Sequence, residues 1–168
     1  MLILKQKEEV LMAEHGFLIK EIYLVMNLGA FACIFMMKRE NIFYEDINDL
    51  SGLSKNHPMV ALSFLIILFS LAGIPPLAGF FAKFYVFMAV IEVKMYALAI
   101  IGLVTTVVSA FYYLRIIKII YFDKPNKPFD ESYDWGLKSS IILSSILILI
   151  YFIYPSILTN IVNSIIIY

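Results

Sequence analysis

A run of 25 residues without a charged side chain, residues 58–82, constrains the fold of this chain more than any other feature. A helix that crosses the hydrocarbon layer of a membrane needs about 20 mainly apolar residues, so this run is long enough to span one. Residues 17–37, 95–120 and 138–155 are also apolar, and 62% of the whole chain is hydrophobic. We therefore predict an all-α, polytopic membrane helix bundle with about four transmembrane helices.

The second predicted span is interrupted by two consecutive prolines. Gly73, Pro75, Pro76 and Gly79 lie close together in this run. The prolines lack amide donors and clash with carbonyls one turn earlier, so a regular helix cannot continue through them. The apolar pattern resumes at Phe80. The sequence thus predicts a discontinuous helix, whose unwound backbone must be covered by protein or water because lipid cannot satisfy it.

Polar segments define the domain organisation that we predict. Residues 1–16 form a polar lead-in, because their charges interrupt the apolar core that a cleaved signal would need. Residues 17–158 form the transmembrane segment, with two polar loops at residues 40–57 and 123–137. Residues 159–168 form an apolar C-terminal tail.

Basic residues are unevenly distributed between the two sides of the predicted bundle. The regions after the first and third spans contain eight of the 13 lysines and arginines. The positive-inside rule therefore places both loops in the cytoplasm or matrix, and both termini on the opposite side. The 13 basic and 13 acidic residues balance, so we expect lipid and protein as partners and no nucleic acid. A short surface helix is expected near residues 44–53.

Lys83 is the one charge well inside a predicted span, four residues after Gly79. A lysine near a helix end can extend its amine to the membrane surface, but an uncharged stretch separates Lys83 from Glu92. Ionisable groups inside a membrane usually face a cavity or a partner and mark ion paths. We predict that Lys83 transfers protons with water at the break. Glu92 is a candidate outlet, with an ordinary interfacial carboxylate as the alternative.

No cofactor or metal site is predicted within this chain. Cys33 is the only cysteine, and His15 and His57 lie in polar stretches away from the span centres. There is no glycine-rich phosphate loop and no pair of metal-binding carboxylates within a span. Any redox chemistry coupled to this chain would therefore take place elsewhere.

Four blocks of the sequence resemble, in order, the C-terminal part of subunit 2 of respiratory complex I, the proton-pumping NADH:quinone oxidoreductase. The blocks are MNLGAFA at residues 26–32, DLSGL at 49–53, LAGIPPLAGFFAKF at 71–84 and SAFYYLR at 109–115. The broken-helix block occurs in all antiporter-like subunits of the complex. Its lysine in place of a glutamate, together with the other three blocks, favours subunit 2. The resemblance covers about residues 20–158.

The resemblance implies a position within a larger assembly. The four predicted spans would be the last ones of a subunit of about fourteen helices that contains two inverted repeats, each with a broken helix. The first repeat and the opening of the second have no counterpart here, so only Lys83 matches a family proton-transfer residue. The implied partners are other complex I membrane subunits. NADH, FMN, iron–sulfur clusters and ubiquinone are expected in partner subunits, none of them bound by this chain.

Several alternatives stay open at this point. The chain could be a split-gene product that docks with a separate chain carrying the missing N-terminal helices, a fragment, or a rearranged subunit. An obligate partner is favoured, because four spans cannot cover the unwound backbone alone. A subunit of a multi-subunit cation/proton antiporter is the alternative function. A membrane scaffold in which Lys83 is inert is the purely structural one.

The expected location follows from the resemblance and from the composition. Eleven of the 13 basic residues are lysine, and isoleucine is abundant, a bias that fits AT-rich coding in many organelle genomes and some bacteria. The expectation is a multi-pass protein of the mitochondrial inner membrane. The bacterial plasma membrane is the alternative.

Overall fold

A computed structural model describes residues 2–39, 42–43, 46–126, 129 and 135–153. Its regular elements are six α-helices, one 3₁₀ helix (Ile47–Leu50) and two short strands. The helices are α1 (Leu2–Phe35), α2 (Leu53–Asn56), α3 (Pro58–Ala72), α4 (Ala78–Glu92), α5 (Tyr96–Phe122) and α6 (Trp135–Ile153). The prediction of an all-helical chain is confirmed for the described residues, apart from the antiparallel two-residue strands β1 (Lys38–Arg39) and β2 (Ile42–Phe43), which were not predicted.

Helix α1 is longer than the first predicted span, residues 17–37. It runs without interruption from Leu2 to Phe35, so the polar lead-in predicted at residues 1–16 is continuous with the first apolar segment. The reason is intrinsic propensity: leucine, lysine, glutamine and glutamate dominate this stretch, they all favour helix, and no proline interrupts them. The apolar tail predicted at residues 159–168 lies outside the described residues.

Helix α3 is the central helix of the bundle, because it contacts α1, α2, α4, α5 and α6. It begins with Pro58, whose fixed φ suits a first helical turn, and it ends before Gly73. Its fully buried side chains include Ile67 and Ser70. Ile67 belongs to the same hydrophobic cluster as Met26 of α1 and Ile148 of α6, and Ser70 contacts Met26. The last residues of α3, Leu71 and Ala72, and the first of α4, Ala78 and Gly79, are therefore buried in the bundle, although the connection between them reaches its surface.

One helix of the described chain, Tyr96–Phe122, is long and apolar enough to cross a membrane by itself. The helices Pro58–Ala72 and Trp135–Tyr151 are apolar but shorter. Helix α5 presents large exposed side chains such as Ile100, Val107 and Phe111, and its most apolar window is not buried within the chain. Such an apolar surface requires lipid or further helices around it.

The described parts of the two loops contact each other at one end of the bundle. The side-chain amide of Asn126 donates to the carbonyl of Asn48 over 3.1 Å, and that of Asn56 donates to the carbonyl of Asn126 over 2.9 Å. The backbone amide of Asn126 also donates to the carbonyl of Ser51 over 3.1 Å. The described parts of both loops thus lie at the same end of the bundle.

A short surface helix was expected near residues 44–53, of which residues 44 and 45 lie outside the described residues. In the described part the 3₁₀ helix Ile47–Leu50 takes its place, and Gly52 separates this helix from α2 (Leu53–Asn56). This glycine has a φ of +67°, and its amide donates to the carbonyl of Ile119 over 3.2 Å. An added Cβ would strike the backbone of Pro125 in the other loop. Gly52 therefore permits both a left-handed turn and the close approach of the two loops.

We expect Gly52→Ala to destabilise the loop end of the bundle. The left-handed conformation costs an L-residue about 1–2 kcal/mol, and displacement of Pro125 adds to that cost. The midpoint temperature of thermal unfolding of the protein should fall. Gly16→Ala is the matched control, because an added Cβ on this helical glycine meets no described atom within 4 Å. Equal midpoints for the two variants would contradict the assigned role of Gly52.

Candidate functional site

The candidate site lies at the C-terminal end of α3. The amide of Gly73, at a φ of +80°, donates to the carbonyl of Ser70 over 2.9 Å, and the amide of Ile74 donates to that of Phe69 over 3.1 Å. These two bonds form a Schellman motif, which closes a helix through a left-handed glycine. Two carbonyls of the last turn, those of Leu71 and Ala72, are not satisfied by this motif.

Lys83 supplies the missing donors. Its Nζ atom lies 2.8 Å from the carbonyl oxygen of Leu71 and 3.2 Å from that of Ala72. The side chain is half-buried and crosses Gly73, so that a Cβ added to this glycine would lie 2.9 Å from Cδ of Lys83. The C-terminal end of a helix carries partial negative charge, which favours a cation at this position. An amine from α4 therefore caps α3.

The short connection between the helices turns sharply. The amide of Leu77 donates to the carbonyl of Ile74 over 3.2 Å, and the peptide bond between Pro75 and Pro76 is cis. Both prolines are exposed, whereas Ala78 is buried. The prolines thus form the outer side of the connection, and the two helix ends meet on its inner side.

The first turn of α4 approaches the last turn of α3 closely. Ala78 and Gly79 are buried, and a Cβ added to Gly79 would collide with the carbonyl oxygen of Ser70. The amide of Gly79 donates to Oγ of Ser70 over 3.0 Å. Sequence reasoning identified the glycines and prolines of this site but not Ser70. The available signal was a hydroxyl in an otherwise apolar stretch, three residues before Gly73.

Glu92 is not part of this cluster. It is the last residue of α4 and is exposed. It lies nine positions after Lys83, roughly 14 Å along the axis at about 1.5 Å per residue. The structure places the two side chains on one helix without bringing them together, so an outlet role for Glu92 stays a prediction.

A separate cavity of about 390 Å³ lies at the loop end, between the end of α1 and the beginnings of α3 and α6. Its lining is largely apolar and includes Cys33 and Met37, with His57 and Lys138 at its polar part. His57 Nε2 is 3.1 Å from the carbonyl oxygen of Phe129. Among the described residues, no three His, Cys, Asp or Glu side chains are grouped to hold a metal.

Comparison with known proteins agrees with this architecture. A family model described as NADH:quinone oxidoreductase/Mrp antiporter, TM, matches residues 11–109, which include the whole α3–α4 site. NADH-quinone oxidoreductase subunit N of Pelagibacter ubique is 63% identical over 144 residues, and that of Parvibaculum lavamentivorans is 52% identical over 135 residues. These matches cover 86% and 80% of this chain, but only 31% and 28% of the relatives.

A solved structure shows the same likeness. A chain of respiratory complex I from Thermus thermophilus, solved with bound aureothin, superimposes with a TM-score of 0.71 at 25% sequence identity. The match covers 89% of this chain and 36% of that chain. The fold is that of an antiporter-like membrane protein.

The chain belongs to the NADH:quinone oxidoreductase/Mrp antiporter transmembrane family. This confirms the predicted resemblance at the level of an antiporter-like complex I membrane subunit. The bacterial relatives carry the name subunit N, the counterpart of the subunit 2 to which the sequence blocks pointed.

Proposed function

We propose that this chain is the C-terminal part of an antiporter-like, proton-translocating membrane subunit of complex I, and that Lys83 transfers protons at the break between α3 and α4. The observation that carries this proposal is the position of the Lys83 amine on the carbonyls of Leu71 and Ala72. An ionisable group at a helix interruption within an apolar bundle is the arrangement expected along an ion path.

In this proposal α3 and α4 together form one discontinuous transmembrane span. Each helix has 15 residues, whereas a helix needs about 20 residues to cross the hydrocarbon layer. Neither helix therefore crosses the membrane alone. The remaining spans are α1, α5 and α6. Four spans result, and the interruption lies where packed protein can satisfy its backbone.

The hydrogen bonds of Lys83 suit repeated proton transfer. An ammonium has three N–H donors, two of which are used on the carbonyls of Leu71 and Ala72. The third has no acceptor among the residues that the structure describes. When the third proton leaves, the neutral amine still has two N–H groups for the same two carbonyls. The nitrogen can therefore stay in place while it loses and regains a proton.

The source of energy lies in other chains. We propose that electron transfer from NADH to quinone, through FMN and iron–sulfur clusters of partner subunits, changes the charge near Lys83 and so drives its protonation and release. The chain would then be part of a proton-translocating NADH:quinone oxidoreductase without a redox centre of its own. The names of the relatives support this assignment.

The exposed apolar surfaces require neighbours. The outer faces of α1 and α5 include Leu24, Phe31 and Val107, each more than half exposed in the described chain. We propose that other complex I membrane subunits, lipid, and the N-terminal helices that the resemblance implies cover them. Whether those helices belong to a separate chain can be read from the polypeptides that co-purify with this one.

We propose that this chain lies in a bacterial plasma membrane. The relatives compared above are bacterial, at up to 63% identity. The mitochondrial inner membrane, expected from composition and resemblance, stays a prediction.

The family description also includes antiporters, so a multi-subunit cation/proton antiporter is the second candidate function. Purification of the native membrane complex through a tag on this chain distinguishes the two. Co-purification of flavin and iron–sulfur subunits, with NADH oxidation, supports the complex I assignment. A stable complex without them, which exchanges cations for protons, would replace it with the antiporter. Proton flux in Lys83 variants then separates either transport function from an inert scaffold.

A further inference from the structure

We propose that Ser70 is a positioning residue for Lys83, which holds the beginning of α4 in register with the end of α3 and connects this contact to α1. The inference rests on the proposed proton transfer by Lys83 and adds a residue to that site. Ser70 is fully buried in the bundle, with 0% of its surface exposed. A buried hydroxyl needs hydrogen-bond partners, and its partners here are on two other helices.

Ser70 provides the cap that α4 lacks. The first amides of a helix have no acceptor within the helix, and a polar residue at the preceding position usually satisfies one of them. The preceding residue of α4 is Leu77, which has no side chain able to do so. Oγ of Ser70 instead accepts the amide of Gly79 over 3.0 Å. The cap of α4 therefore comes from α3.

This cap and the Lys83 contact are two parts of one interface. Gly79 and Lys83 are four residues apart and lie on the same face of α4. Their acceptors, Oγ of Ser70 and the carbonyls of Leu71 and Ala72, are consecutive on α3. A shift that separates Gly79 from Ser70 also moves the lysine relative to its carbonyls.

The hydroxyl hydrogen of Ser70 extends the contact to α1. Oγ lies 3.0 Å from Sδ of Met26, which is itself fully buried. A thioether is a weak acceptor, but the donation directs the hydroxyl hydrogen away from α4 and leaves the oxygen lone pairs for the amide of Gly79. The position of α1 is thereby connected to the Lys83 site.

The test is Ser70→Ala in the full chain within its native membrane complex, with proton translocation followed over a range of pH. Loss of the acceptor leaves a buried amide unsatisfied. We expect the rate of proton translocation to fall about fivefold, as one buried hydrogen bond allows, and its pH profile to shift. Ser63→Ala, seven residues earlier on α3, is the matched control and should leave both unchanged.

Two further variants separate positioning from simple support of the fold. Met26→Leu keeps the side-chain volume and removes the sulfur, and Oγ of Ser70 remains as the acceptor for the amide of Gly79. We therefore expect a smaller loss of proton translocation than in Ser70→Ala. Ser70→Cys retains a weak acceptor and should give intermediate translocation with a partly restored pH profile. If the complex with Ser70→Ala does not assemble, the pH profile of proton translocation is measured in the assembled Ser70→Cys complex instead. A shifted profile supports the positioning role of Ser70, and an unchanged profile overturns it.

The outcomes also separate this inference from the function on which it rests. A pH profile in Ser70→Ala identical to that of Ser63→Ala, in a complex where Lys83→Met has lost translocation, overturns the role of Ser70 alone. Normal translocation in Lys83→Met overturns the proton-transfer role of Lys83, and the positioning role with it.

Discussion

A complex that contains Lys83→Met is expected to assemble but to translocate far fewer protons for each electron transferred. Methionine retains most of the volume of lysine and is tolerated in apolar surroundings, but it has no proton to transfer. Removal of a positioned proton-transfer group costs roughly a hundredfold or more in the step that it serves. Proton translocation per electron, measured in vesicles with assembly checked on a native gel, tests this expectation.

Arginine at the same position is expected to be at least as harmful. Its guanidinium keeps the charge and can donate to the carbonyls of Leu71 and Ala72, but it does not release a proton at accessible pH. Loss of translocation in both variants would show that the removable proton, and not the charge, is required. Lys118→Met, at an exposed position of α5, is the control.

Normal translocation in a fully assembled Lys83→Met complex would leave Lys83 without a role in proton transfer. A complex that fails to assemble would instead assign a structural role to the cap on α3. That result is not expected, because each unsatisfied carbonyl costs only about 1–3 kcal/mol. Pro75 and Pro76 beside this helix end are exposed, so water can take the place of the amine.

The parts of the fold and of the site that depend on neighbouring residues along the chain could be predicted from the sequence. Two adjacent prolines after a glycine end a helix wherever they occur, and α3 ends at Ala72. An isolated lysine in an apolar stretch draws attention without any knowledge of its neighbours. The third apolar segment, predicted at residues 95–120, also lies close to the observed helix Tyr96–Phe122.

The features that depend on how helices approach one another were not predictable. Ser70 is ordinary as a residue of an apolar helix, and its importance appears only when Gly79 and Met26 arrive on two sides of it. The carbonyl partners of Lys83 likewise require the two helix ends to be packed together. The continuity of α1 is a different case. The charges near the N-terminus interrupt the apolar pattern and so predict a boundary, but the same side chains favour helix.

The close approach of α4 to α3 leads to the second large expected effect, that of Gly79→Ala. A Cβ at this position would collide with the carbonyl oxygen of Ser70 and lie 2.7 Å from its carbonyl carbon. Both atoms belong to the backbone, so no side-chain rotation can relieve the overlap. The first turn of α4 must move away from α3, at a cost of about 1–3 kcal/mol or more.

This movement should separate Lys83 from its carbonyls, since the lysine follows Gly79 by one helical turn. We therefore expect Gly79→Ala to lower both the amount of assembled complex and the protons translocated per electron in what assembles. Gly102→Ala in α5 is the control, because its added Cβ would meet only the ring of Phe87, at 3.0 Å, and a side chain can turn aside. If both variants assemble and translocate alike, the close contact between Gly79 and Ser70 does not position the lysine. A loss confined to Gly79→Ala would show that the separation of two helix ends, as well as the chemistry of Lys83, determines whether protons move.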